Sequence, residues 1–149
     1  MKETIGNMWD IPADAYCITT NNVIKQNGCA VMGAGVALDC KNRFTGCDKD
    51  LGIFIGLNGH KVGIFSGVIF NGKLICLISF PTKYHWRDPS DINLIEKSAK
   101  ELIKLIEINK YNNVLLPRPG CLNGRLNWKD IKKVIEPILD NRVTIISLS

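Results

Sequence analysis

Within five residues after Thr82 the chain presents a lysine, a histidine, a tryptophan and an arginine, in the run Pro81-Thr82-Lys83-Tyr84-His85-Trp86-Arg87. A lysine amine that has lost its proton is a nucleophile toward an electrophilic carbon. A histidine beside it suits proton transfer, and two aromatic rings suit a wall against which a ligand packs. An ordinary solvated loop would be richer in Ser, Gly, Asn and Asp. The plainer alternative is a loop in which Trp86 plugs the edge of the core and the cations face water. Two further stretches suit an anion. One is Val31-Met32-Gly33-Ala34-Gly35-Val36-Ala37, and the other is Pro119-Gly120-Cys121-Leu122-Asn123-Gly124-Arg125. Glycine lets backbone N–H groups come close to a ligand, and a helix N-terminus just beyond adds unpaired donors that favour phosphate. Two spaced glycines equally describe a plain turn before a helix. Neither a Walker A loop nor a complete G-x-G-x-x-G is present.

The elements that must position these stretches are readable in outline. A short strand, Ile5 to Met8, and a turn at Asp10 to Asp14 lead to a buried strand, Ala15 to Thr20, ended by Asn21-Asn22. The first glycine loop runs into a helix over about Val36 to Arg43. Phe44 to His60 contains four glycines and reads as a variable connection. Asn71-Gly72 between apolar runs is a type I′ hairpin signal. The strand from Leu74 to Phe80 is expected to stop at Pro81, which has no backbone donor. Ser90 is placed to cap a helix from Asp91 to Asn109, whose Ile92, Ile95, Ala99, Leu102 and Ile106 share one face. Val114 to Pro117 is another buried strand. Asn127 and Asp130 resemble a capping pair for a last helix disturbed near Pro137, and Arg142 to Leu148 forms a final strand. Strands alternating with helices predict an α/β layer structure with a mixed sheet. Ligands of such sheets sit beyond the carboxyl ends of strands, and three strands here end in unusual loops, at Thr20, Phe80 and Pro117.

Composition narrows the classes. At 149 residues, 46% hydrophobic and 22% charged, the chain reads as one ordinary globular domain, residues 1–149. No apolar run reaches the roughly 18 residues that span a bilayer, and the N-terminus lacks a signal-peptide pattern. A cytoplasmic protein with no membrane partner is expected. None of the six cysteines forms a C-x-x-C pair, so free thiols are expected and no metal site. The formal charge of +5 permits nucleic acid without arguing for it, because it is spread along the chain.

Taken together, these residues resemble a macro domain, the ADP-ribose-binding fold: a single α/β domain with a mixed central sheet between helices in three layers. Gly6-Asn7-Met8, Ala13-Asp14-Ala15 and Thr20-Asn21 resemble the opening of that family. Val31 to Ala37 is similar to its first phosphate loop, and Pro117 to Cys121 with Leu126-Asn127-Trp128 to its second. Phe80 to Arg87 is the most specific piece, similar to the macro domains of DarG antitoxins and related terminal ADP-ribose glycohydrolases. That branch removes ADP-ribose from DNA bases or protein carboxylates with a lysine at the position of Lys83. The resemblance implies that Asn7 and Met8 lie beside adenine. It implies that Gly33, Ala34, Gly35 and Val36 hold the phosphates and distal ribose, and that Thr20 and Asn21 approach that ribose. Pro119, Gly120, Cys121, Leu122, Asn123 and Gly124 would close over the diphosphate, with Trp86 as a wall. Two departures stand out. Asn7 replaces the aspartate of many macro domains, and Gly124 stands where some glycohydrolases have an aspartate.

The implied reaction cleaves the bond at the anomeric carbon of the distal ribose, with Lys83 as nucleophile and His85 as a proton shuttle, and no cofactor. Lysine suits this only where burial or neighbouring cations lower its pKa, and His85 and Arg87 are cations close in sequence. Two rivals share the pocket: a non-catalytic binder of ADP-ribose or a related nucleotide, and an ADP-ribose 1″-phosphate phosphatase. Expected partners are ADP-ribose or an ADP-ribosylated macromolecule, DNA among them, met by a monomer.

Overall fold

The computed structural model describes residues 1–149. Its elements in chain order are β1 (Lys2–Ile5), β2 (Ala15–Thr20), α1 (Gly35–Arg43), α2 (Cys47–Asn58), β3 (Gly63–Phe70), β4 (Lys73–Pro81), α3 (Ile92–Asn109), β5 (Val114–Pro117), α4 (Trp128–Ile135) and β6 (Val143–Ser147). They form one six-stranded sheet in the order β1-β6-β5-β2-β4-β3. Every neighbouring pair is parallel except β3 with β4, so the sheet is mixed.

Alternation along the central strands divides the core into two layers. Tyr16 and Ile18 of β2, with Leu77 of β4, face the side covered by Cys40 of α1 and by Cys47, Leu51 and Ile55 of α2. Ala15 and Cys17, with Ile78 and Phe80, face the side covered by Ile95, Ala99, Leu102 and Ile106 of α3 and by Ile131 and Ile135 of α4. Helices thus cover both faces, giving the three-layer α/β/α architecture. No helix is long and apolar enough to cross a membrane.

Several expectations hold. Asn71 and Gly72 adopt φ of 51° and 76°, as a type I′ turn requires. Asn127 caps α4 by accepting from the Lys129 N–H at 2.8 Å, and α4 ends two residues before Pro137. All six cysteines are free.

Four others are corrected. The first strand is Lys2–Ile5, not Ile5 to Met8: the Asn7 side chain accepts from the Trp9 N–H at 3.0 Å and turns Met8–Asp10 into a single 3-10 turn. The supposed connection from Phe44 to His60 holds the twelve-residue helix α2. Its Gly52 is not a helix breaker but a close approach, because a Cβ there would collide with the Gly28 carbonyl. Pro81 does not end the pairing: it lies in β4 opposite Thr20, and the next residue still donates, Thr82 N–H to the Thr20 carbonyl at 3.0 Å. The cap of α3 is Asp91, which accepts from Asn93 and Leu94 N–H at 2.8 and 3.3 Å, not Ser90.

Candidate active site at the carboxyl ends of the strands

The chain leaves β2 toward β4 and later returns through α3 to β5, on the other side of β2. The loops after β2 and β5 therefore part in opposite directions, and an open α/β sheet forms its ligand crevice at such a switch point. Polar contacts tie these loops to the segment after β4: Thr82 N–H donates to the Thr20 carbonyl (3.0 Å) and Ser90 N–H to the Gly124 carbonyl (2.9 Å). Within the segments, Asn21 reaches the Val31 carbonyl (3.4 Å) and Asp91 N–H the Thr82 carbonyl (2.9 Å). A Cβ on Gly35 would stand 3.2 Å from Nδ2 of Asn123, so the two glycine loops face each other closely.

The first loop is open. Nothing lies within 4 Å of where a Cβ on Gly33 would stand. Ala34 is the N-cap of α1 and has no side chain to satisfy the first N–H groups, and Gly35 enters the helix with φ of 57°. Such an end carries unpaired donors and a partial positive charge. Val36 packs its side chain into the core beneath.

The second loop is packed against its own chain. Gly120 has φ of 78°, and a Cβ there would meet Ile95 Cδ1 at 2.8 Å. A Cβ on Gly124 would collide with Ser90 Oγ and come within 2.5 Å of the Gly120 carbonyl. No carboxylate fits at Gly124 in this backbone. Pro119 is buried, Leu122 is exposed, and the Cys121 thiol donates to the Pro119 carbonyl at 3.5 Å. Burial pushes that thiol up to about 11, so it stays neutral near pH 7.

Lys83 bridges its own loop and the second glycine loop. Its Nζ donates to the carbonyls of Trp86 (3.4 Å) and Asn123 (3.5 Å). Burial lowers its pKa below the ordinary lysine value, the Arg125 guanidinium lowers it further, and Asp88 opposes. The direction agrees with a nucleophile, but the responsible cation is Arg125 of the second loop rather than His85 or Arg87. Those two stack around Trp86: the His85 ring lies 5.2 Å from its centroid, and the Arg87 guanidinium sits 4.7 Å over it. His85 Nδ1 also accepts the Arg87 N–H at 3.1 Å. The Tyr84 ring rests on His60 at 4.7 Å.

Elsewhere the sequence-derived set divides. Asn7 stands beyond β1, on the same edge of the sheet, with its carbonyl oxygen occupied as a cap. Met8 is buried in the core. Thr20 is buried, with its hydroxyl hydrogen-bonded to Ser79 at 2.9 Å. Asn21 is committed to Val31 and to the Val23 N–H (3.0 Å). Its neighbour Asn22, which the sequence reading passed over, has φ of 62° and both side-chain polar atoms shut from solvent without a partner. In the sequence the signal was an asparagine, a residue type that tolerates the left-handed region, just after a strand. Ser90 Oγ is likewise buried and unpartnered. A cavity of about 190 Å³ lies at the opposite ends of β2 and β4, between Trp9, Tyr16, Phe70 and Lys73, away from this crevice.

No protein-family model matches the chain. A "DNA ADP-ribosyl glycohydrolase" of Thermus aquaticus is 30% identical over 139 residues, 91% of this chain and 36% of that protein. The chain thus spans about a third of that relative's length. Among solved structures, the macrodomain of Mycobacterium tuberculosis DarG superposes with a TM-score of 0.79 at 26% identity, covering 99% of this chain and 97% of the other. Thermosipho africanus DarTG in complex with ADP-ribose superposes with a TM-score of 0.78 at 22% identity, covering 97% of this chain and 41% of that one, a likeness of fold. With the lysine loop, the facing glycine loops and the full-length superposition, the chain is a macro domain of the DarG branch.

Proposed function

We propose that this macro domain, residues 1–149, is an ADP-ribosyl glycohydrolase that frees ADP-ribose from a modified DNA base, with Lys83 as nucleophile. The observation that carries the reading is Lys83 itself: a half-buried amine of lowered pKa between the carbonyls of Trp86 and Asn123, where the two loops meet. The row of strand ends from β1 to β4 crosses four strand spacings, about 19 Å, a span suited to an extended nucleotide sugar. Adenine would lie at Asn7 and Met8, and the diphosphate between the N–H groups of Gly33 to Val36 and the second loop, Pro119 to Gly124. The distal ribose would lie near Thr20, Asn21 and Trp86.

In the reaction, the neutral Lys83 amine attacks the anomeric carbon as the bond to the base breaks, and the base leaves with the proton that the attacking nitrogen gives up. The lysine-bound ribose then opens to a Schiff base, which water hydrolyses to ADP-ribose and free amine. His85 is available to move a proton. The relative named for DNA favours a base over a protein carboxylate as leaving group. We place the protein in the cytoplasm as a monomer.

Lys83→Ala is expected to remove turnover of an ADP-ribosylated thymidine oligonucleotide while ADP-ribose affinity by calorimetry stays within a few-fold. Lys83→Arg keeps the cation but cannot deprotonate, so it is expected to be equally inactive. Full activity in the arginine variant would exclude the nucleophile role. A loss of affinity with no activity to lose would favour the binding-module alternative, with Lys83 as a phosphate contact.

A further inference from the structure

We propose that Trp86 and Arg87 on one side of Lys83, and Arg125 on the other, form a rim that grips the single strand flanking the modified nucleotide. The rim would make a polynucleotide a better substrate than a nucleoside. The proposal rests on the glycohydrolase reading and adds to it the part of the protein that holds the leaving group.

Three observations carry it. Trp86 is 45% exposed, whereas Trp9 is 3% exposed and Trp128 is half-buried beneath Arg118. Tyr84, in the same loop, is 52% exposed. Neither ring fills the core, and the backbone carbonyl of Trp86 receives the Lys83 amine.

Neither Arg87 nor Arg125 joins an ion pair; the arginine that does is Arg142, on the far side of the sequence from this loop. Between Thr82 and Asp91 the carboxylates are Asp88 and Asp91, and Asp91 is occupied in capping α3. The rim therefore carries three cations, Lys83, Arg87 and Arg125, against one free acid.

The third observation is the order of the groups. Arg87, Trp86 and His85 form a continuous run of flat groups, with the guanidinium 4.7 Å and the imidazole 5.2 Å from the indole centroid. Exposed flat groups interleaved with unpaired guanidinium charges match a single strand, whose bases stack on any π-face and whose phosphates recur along the chain. A peptide carrying a modified carboxylate offers no comparable repeat of anion and ring. Arg125 is held in the left-handed region, φ of 63°, with its N–H bonded to the Leu122 carbonyl at 3.1 Å, so the cation is presented from a fixed turn.

The test compares kcat/KM on an ADP-ribosylated thymidine oligonucleotide and on ADP-ribosylated thymidine alone. The wild type is expected to prefer the oligonucleotide at least 10-fold. Arg87→Ala is expected to cut the oligonucleotide rate about 10-fold and leave the nucleoside rate unchanged. Each lost phosphate contact is expected to lower the slope of log affinity against log salt by about 0.7. Equal rates on the two substrates in the wild type would overturn the proposal. So would equal sensitivity to Arg87→Ala when the substrate is a glutamate-modified protein. Were neither substrate cut, the glycohydrolase reading would fall. Anisotropy of a labelled single-stranded oligonucleotide would then decide the rim on its own: binding weakened by both Arg87→Ala and Arg125→Ala supports it, and no binding by the wild type overturns it.

Discussion

The two glycine loops look alike as sequence and differ in what their glycines accommodate. Around Gly33 there is open space, and Gly35 enters a helix whose first donors have no cap. Around Gly120 and Gly124 the space is filled by Ile95, Ser90 and the loop's own carbonyl. Gly33 of one loop leaves open space at its Cβ position, whereas the glycines of the other let the chain fold onto itself. A glycine-rich motif therefore does not announce a ligand contact. Only the surroundings of the missing Cβ distinguish the two causes.

The sharpest way to break this contrast is to fill both loops. Gly124→Asp is expected to cost several kcal/mol, a large share of the roughly 5–15 kcal/mol typical of a domain, since it overpacks Ser90 and buries an unpaired carboxylate. Urea denaturation would show it, and a wild-type midpoint would mean that the second loop is not packed as described. Gly35→Glu should do the reverse. Calorimetry is expected to show ADP-ribose affinity down at least 100-fold, about 3 kcal/mol, while the fold loses only the roughly 1–2 kcal/mol of a left-handed side chain. Retained binding would remove the first loop from the site.

Arg125→Ala tests whether the second loop also acts electrically. Burial and Arg125 hold the Lys83 pKa below 10.5, so the amine frees its proton as pH rises through that depressed value. Between the folded value and 10.5 the unfolded chain binds more protons, so this group adds stability as pH rises across that window. Removing Arg125 is expected to shift the rising limb of the rate profile to higher pH, and a limb that stays put would assign the shift to burial alone. The smallest effect is expected from Ser90→Ala. Its hydroxyl is buried without a partner, so the substitution should leave stability unchanged or raise it by about 1 kcal/mol. A clear loss would reveal a bond that holds the second loop.

Legibility in the sequence followed the range of the forces involved. The parallel strands showed as apolar runs, the hairpin as Asn71-Gly72, and α3 as an apolar stripe, because each depends on neighbours in the chain. Helix α2 was hidden by Gly52, whose reason is the distant Gly28 carbonyl. Asn7 reads from the sequence as a ligand contact, and its second role, capping the turn at Trp9 with its side-chain carbonyl, shows only in the fold. Lys83 stood out by the density of chemistry around it. The cation that tunes it did not, since Arg125 lies 42 positions later and only the fold brings it near. Asn22 was overshadowed by Asn21, although the structure ties the latter to the backbone and leaves the former without a partner.

One consequence of the Lys83 bridge concerns direction. A neutral amine has two hydrogens and one lone pair arranged tetrahedrally about nitrogen. With both hydrogens turned toward the carbonyls of Trp86 and Asn123, and the fourth position taken by the side chain's own Cε, a single direction remains for the lone pair. For a nucleophilic Lys83, the loops that lower its pKa therefore also aim it, and a shift of either carbonyl would change the angle of attack before it changed the charge.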